Sequence, residues 1–175
     1  MGKKIRVNGI KLSQELIHIN ILARPDKKSL ITHFLRSMAE NRINCPLLFY
    51  SAMDRRTQGA VCVASEDAER LHQVLALDTD LKDSVACIAP VGSISLFPHK
   101  FSLNFFGCLI HAFGKAGLPI YGMATSISAL TVTTDFHMLD RAVEWLKPLI
   151  SLSPNHAPFR SQLRIKAVQE KPTGR

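Results

Sequence analysis

The feature that most constrains this chain is an internal repeat at a spacing of 75 residues. Between Ser29 and Asn41, apolar residues at Leu30, Ile31, Phe34, Leu35 and Met38 form the stripe of an amphipathic helix. The positions 75 residues further on are Phe105, Phe106, Leu109, Ile110 and Phe113, all of them apolar. The residues after each helix also correspond, with Arg42-Ile43-Asn44-Cys45 standing against Gly117-Leu118-Pro119-Ile120. Gly117 suits a left-handed helix cap, and near the end of the first helix Asn41 tolerates the same conformation. A repeat of this length predicts two similar units, each with its own helix face to bury.

Around each helix the period changes to two. Ile17, Ile19 and Ile21 alternate with His18 and Asn20, and Ile94 and Leu96 alternate with Ser93 and Ser95, so a half-buried strand precedes each helix. Two short strands come after each helix, over 47–52 and 59–64 in the first unit and over 120–125 and 129–133 in the second. A second helix closes each unit. Ser65 is the expected cap of the first, with Ala68, Leu71 and Leu75 facing the core, and Thr134-Asp135 that of the other, whose stripe is Phe136, Leu139, Val143 and Leu146. The order strand, helix, strand, strand, helix needs one more strand to become a ferredoxin-like unit. Residues 82–89 can supply it to the first unit. For the second there are two candidates, residues 5–12, with a bulge at Gly9, and residues 163–168 behind a loop containing Pro154 and Pro158.

Apolar residues make up 46% of the sequence, enough for packed cores. No apolar run approaches the ~20 residues that cross a bilayer, and no signal peptide is evident, so a cytoplasmic location without a membrane partner is expected. The net charge of +8 resides at the ends. Residues 1–11 hold four cations and no acid, residues 160–175 hold five cations against Glu170, and the body between them balances 13 cations with 13 acids. Basic tails on a neutral body argue against a nucleic-acid partner. Cys45, Cys62, Cys87 and Cys108 stand among apolar neighbours without metal or redox spacing and read as buried free thiols. The seven histidines show no metal-ligand spacing, and the chain has no nucleotide-binding glycine motif, P-loop or nucleophile motif. No cofactor and no catalysis are expected.

From about Arg6 to Ile150 the chain resembles the regulatory region of aspartate kinases, a tandem pair of ACT domains. That family opens the region with a V-T-G-V-A-Y-like strand, matched by Val7-Asn8-Gly9-Ile10-Lys11-Leu12, and leads its core strand into V-P-D-R-P-G, where Arg24-Pro25-Asp26-Lys27-Lys28-Ser29 stands here. The family's A-G-I-N-V-D-M-I-x-Q-N corresponds to residues 41–51, and its A-G-I-N-I-x-M-I-S-T-S to residues 116–126. The resemblance implies an α+β fold of two ferredoxin-like βαββαβ ACT units, one inserted in the other, with helices on one face of antiparallel sheets. The N-terminal strand then completes the second unit. The units become residues 13–90 and residues 5–12 plus 91–150, with a basic tail over 151–175. The kinase catalytic motif is missing.

The resemblance further implies a non-catalytic regulatory module that binds a small amino acid or related metabolite, forms a homodimer and acts on a partner enzyme of amino-acid metabolism. A helix start offers unpaired N–H groups to a carboxylate, and Asp26 with Asn44 could receive the ammonium group. As bare sequence features, Asp26 is equally a helix cap and Asn44 a turn residue. The implied site comprises Asp26, Lys27, Lys28, Ser29, Leu30, Asn44, Tyr50 and Ser51 in the first unit. In the second it comprises His99, Lys100, Ser102, Asn104, Thr125 and Ser126. Two alternatives stay open, an RNA- or polyanion-binding ferredoxin-like protein and a dimerisation scaffold without ligand. Against the first, the candidate third strands carry no aromatic residue.

Overall fold

The computed structural model describes residues 4–22, 30–53, 56–97, 103–126 and 128–157, with backbone alone at 51–53, 56–58 and 153–157. Its backbone is organised by one long antiparallel ribbon. Strand β1 (Ile5–Leu12) and strand β2 (Leu16–Ile21) succeed each other along the same edge of strand β5 (Val85–Phe97). Leu12 faces Ile94 and Ile21 faces Val85, with one irregularity where Leu16 meets Val91 and His18 meets Ile88. That irregularity spans Pro90, which has no N–H to give to the ladder. The two sequence stretches expected as separate strands, 82–89 and 93–96, are thus halves of β5, and Lys82 belongs instead to the short helix α3 (Thr79–Lys82).

Each repeat hangs on one end of this ribbon. In the first, helix α1 (Leu30–Glu40), strand β3 (Leu47–Met53), strand β4 (Arg56–Ala64) and helix α2 (Ala68–Leu77) give the strand order β3-β4-β2-β5. In the second, helix α4 (Leu103–Ala116), strand β6 (Gly122–Thr125), strand β7 (Leu130–Asp135) and helix α5 (Leu139–Leu146) build outward from the other edge of β5, which β7 joins. The N-terminal strand β1 pairs with the stretch of β5 from Ile94 to Phe97. Beyond it lies a strand the sequence did not announce. Strand β8 (Ile150–Ala157) runs parallel to β1, so residues 151–157 are strand where a tail was expected. Its register slips between Val7 and Gly9, and the burial of β1 changes phase directly after, between Gly9 and Ile10.

Alternation divides each sheet into a helix face and an open face. Ile17, Ile19 and Ile21 join Phe34, Met38, Val61 and Leu71 under the first repeat's helices. Ile94, Leu96 and Val132 join Leu109, Phe113, Val143 and Leu146 under the second's. Leu35 only packs at the edge of its cluster, and Ile110 is 49% exposed, so the fourth position of the helical stripe lies outside the core in the second repeat. Both first helices end alike. Ile43 N–H donates to the Met38 carbonyl at 2.9 Å and Leu118 N–H to that of Phe113 at 2.9 Å, and each of these apolar residues is buried. The left-handed residue is Gly117 (φ 67°) in one helix and Arg42 (φ 56°), not Asn41, in the other. Arg70 Nη1 covers the carbonyls of Asn41 and Arg42, which offsets the loss of glycine there.

The expected side-chain caps are absent. Ser65–Asp67 and Phe136–Met138 are single 3₁₀ turns closed by the backbone, in which Ala68 N–H donates to the Ser65 carbonyl and Leu139 N–H to that of Phe136. Such a turn supplies the acceptor for the first N–H of the α-helix that follows, and Asp135 is thereby free to serve elsewhere. Of the four free cysteines only Cys62 is buried, since Cys45 is half-buried and Cys87 and Cys108 are exposed.

Candidate functional site

The residues singled out from the sequence fall at two opposite ends of the ribbon. At the C-terminal end of β2, α1 begins at Leu30, which is buried, and Tyr50 lies level with Ile21 through Gly59. Ser51 is one step further on β3, opposite Gln58. Asn44 does not join them. It lies just past the C-terminal turn of α1, and the 11-residue helix puts about 16 Å between that turn and Leu30. At the C-terminal end of β5, Asn104 stands in the first turn of α4, while Thr125 and Ser126 end β6 opposite Leu130 and Ala129. All three are exposed. Asp26, Lys27, Lys28, Ser29, His99, Lys100 and Ser102 lie outside the described residues.

Sequence reasoning missed the open face of the first repeat. There the register lines up two rows across the sheet, Phe49-Ala60-Asn20-Ala86 and, one step down, Leu47-Cys62-His18-Ile88. His18 is fully buried, with the Phe49 and Tyr121 rings 6.4 and 6.0 Å away. Burial holds its pKa below the usual 6.5, against a smaller upward pull from the Asn20 bond. The ring is therefore neutral at pH 7 and carries one N–H. Burial, reinforced by the nearby Cys45, pushes the Cys62 thiol up to about 12. It keeps its proton and can donate it to His18 Nδ1, 3.6 Å away. The ring hydrogen then sits on Nε2 and is donated to Asn20 Oδ1 at 3.1 Å.

Beside this chain of hydrogen bonds opens a recess of about 460 Å³. Gly59, Ala60 and Ala86 contribute small residues to it, Leu22 and Phe49 apolar bulk, and Asn20 a polar side chain. Next to it the two repeats meet. Leu16, Cys62 and Val91 form a small cluster with Leu47, Ile88 and Tyr121, and a Cβ on Gly122 would come within 3.0 Å of the Phe49 ring. Tyr121 donates its hydroxyl proton to Asp135 Oδ1 at 2.7 Å, a bond that, with burial, raises the phenol pKa. The alternation of Ile17, Ile19 and Ile21 had already placed His18 and Asn20 on one face. Only the pairing with β4 brings Cys62 and Ala60 to them. Among the described residues no group of three His, Cys, Asp or Glu side chains could hold a metal ion, and no helix is long and apolar enough to cross a membrane.

No family model and no curated protein matches the sequence. Solved structures do. The regulatory subunit of aspartate kinase from Thermus flavus superposes with a TM-score of 0.66 at 17% identity, covering 82% of this chain and 97% of that one. The ligand-free regulatory subunit from Thermus thermophilus gives 0.67 at 16%, covering 83% and 99%. The fold is that of the aspartate kinase regulatory region. In the whole aspartate kinase from Synechocystis the same likeness, with a TM-score of 0.65 at 16% identity, covers 86% of this chain and 28% of that chain. The sequence resemblance to the aspartate kinase regulatory region thus holds at the level of the fold.

Proposed function

We propose that the chain is a non-catalytic regulatory module that binds a small amino acid or related metabolite at the helix-start ends of its repeats and passes the binding energy to a partner enzyme of amino-acid metabolism. The observation that carries this reading is the extent of the structural likeness, 97% of one regulatory subunit and 99% of another. The geometry supports it. At each end of the ribbon a strand runs into a helix, and polar residues of the neighbouring strand, Ser51 in one repeat and Thr125 with Ser126 in the other, stand at the same end. The division into residues 13–90 and residues 5–12 with 91–150 belongs to the same proposal, as do a cytoplasmic location and a homodimer. The homodimer draws support from two outermost strands, β3 and β6, that expose Leu48, Tyr50 and Met123. RNA recognition finds less support, because β2, β4 and β7 carry no aromatic residue on which a base could stack.

A thermal-shift screen of the full chain against the twenty amino acids tests the proposal. An effector at ~100 times its dissociation constant adds ~2.7 kcal/mol to stability. One or a few amino acids are expected to raise the melting temperature, and a screen in which none does removes the amino-acid reading.

A further inference from the structure

The recess on the open face lies at the same end of β2 as the first helix start but on the face of the sheet opposite α1, and it carries an inference that does not depend on the effector reading. Among the described residues no charged side chain lines it, so a bound ion would lose hydration without gaining a counter-charge from them. Its small residues, Gly59, Ala60 and Ala86, let a flat body approach the sheet, while Phe49, which shares the row of Asn20, Ala60 and Ala86, offers an aromatic ring beside it. One polar group has a fixed orientation. Because His18 donates to Asn20 Oδ1, the Asn20 NH₂ group is turned away from the histidine, and it has no partner among the described residues. The site therefore combines two outward donors, apolar walls, a floor of small residues and room for a ring of one or two cycles.

We propose that this recess binds an uncharged planar aromatic or heteroaromatic ring bearing a carbonyl-type acceptor, with the acceptor on the Asn20 NH₂ and the ring against Phe49. Three matched probes separate the requirements. Benzamide has the ring and a neutral acceptor, benzoate replaces the acceptor with a charge, and toluene has no acceptor. Titrated into the full ¹⁵N-labelled chain, benzamide is expected to shift the Asn20 side-chain NH₂ and the backbone amides of Gly59, Ala60 and Ala86 saturably. Benzoate and toluene should bind at least tenfold more weakly. Asn20→Asp retains an acceptor for His18 while replacing the donors with a negative charge, and should lose at least tenfold in benzamide affinity. Phe49→Leu removes the aromatic ring and should lose several-fold. Ala86→Leu fills the recess from an exposed position, should abolish the shifts, and decides the matter together with Phe49→Leu if the Asn20 variant does not fold. Absence of benzamide shifts at these residues, equal binding of all three probes, or undiminished binding to the folded variants overturns the proposal.

Discussion

On the open face of the first repeat, His18, Cys62 and Asn20 share a chain of hydrogen bonds beside a recess. At the corresponding places of the second repeat stand Ser93, Thr133 and Ser95, where the Ser95 and Thr131 hydroxyls meet at 2.8 Å and Thr133 donates to the Gly122 carbonyl at 3.3 Å. The helix faces, by contrast, are filled alike with Ile, Leu, Val and Phe. A helix face must be buried whatever the unit does, so both repeats retain it. An open face is under no such demand. One repeat closes it with small hydroxyls, and the other places a titratable ring and an oriented amide there. The difference teaches where specialised chemistry should be sought in a duplicated fold.

The largest test asks whether the two repeats are separable at all. Phe34 and Phe113 are both fully buried, one in each core. Replacing either by Ala should cost ~3–5 kcal/mol. Because both repeats hang on the shared strand β5, Phe34→Ala should shift unfolding seen through Trp145 fluorescence as much as unfolding seen by circular dichroism. Trp145 is the chain's one tryptophan and lies in the second repeat's helix α5, so it reports on the half that was not altered. A fluorescence transition that stays at the wild-type midpoint while the dichroism shifts would show two independent units.

The middle-sized test addresses the polar difference itself. Burial lowers the His18 pKa in the folded chain, so below its ordinary value of 6.5 the unfolded chain takes up a proton that the folded chain refuses. Stability contributed by this site is complete above about pH 6.5 and declines as the pH falls towards the lowered native value, by at most ~1.4 kcal/mol per pH unit. His18→Gln, which cannot titrate, should remove this component of the slope, and Ser93→Ala in the second repeat should leave it unchanged. Denaturant titrations between pH 7 and pH 5 measure both. Equal slopes in the wild-type and His18→Gln proteins would mean that the ring is protonated in the fold as readily as out of it.

Legibility in the sequence obeys the same division. The stripes of Leu30 to Met38 and of Phe105 to Phe113, and the alternation around Ile19 and Ile94, announced the helix faces, because hydrophobic burial imposes its period directly on the chain. The placement of residues 5–12 beside the second repeat came from the resemblance. Arg42 could have been read from the repeat, since it stands 75 residues before Gly117, but residue preference pointed to Asn41. The side-chain caps failed because backbone-closed 3₁₀ turns leave no distinctive residue behind. β8 was hidden because Pro154 interrupts any strand pattern, and its register against β1 absorbs the interruption. The recess could not be read, since Asn20, Phe49, Ala60 and Ala86 come together only through strand pairing.

The smallest expected effect concerns a clamp that the first repeat has and the second lacks. Asp78 Oδ1 accepts from the backbone N–H groups of Asp80 and Leu81 at the start of α3, while Oδ2 meets His33 Nε2 of α1 at 2.6 Å. Burial alone would raise this carboxyl's pKa. The hydrogen bonds from His33, Leu81 and Asp80, with the His33 charge, outweigh it and hold the carboxyl below its usual value. A depressed carboxylate contributes stability that is complete above its unfolded pKa of about 4 and is lost as the pH falls through the native value. Asp78→Ala removes both the cap and the link between α1 and α3, and should cost about 1 kcal/mol at pH 7, mostly through the cap, because the His33 pair is largely in solvent. Asp78→Asn retains an acceptor for the cap and should recover most of that loss. His33→Ala should therefore cost less than Asp78→Ala. If denaturation midpoints place His33→Ala at or beyond Asp78→Ala, the bridge between the helices, rather than the cap, is what Asp78 contributes to the first repeat.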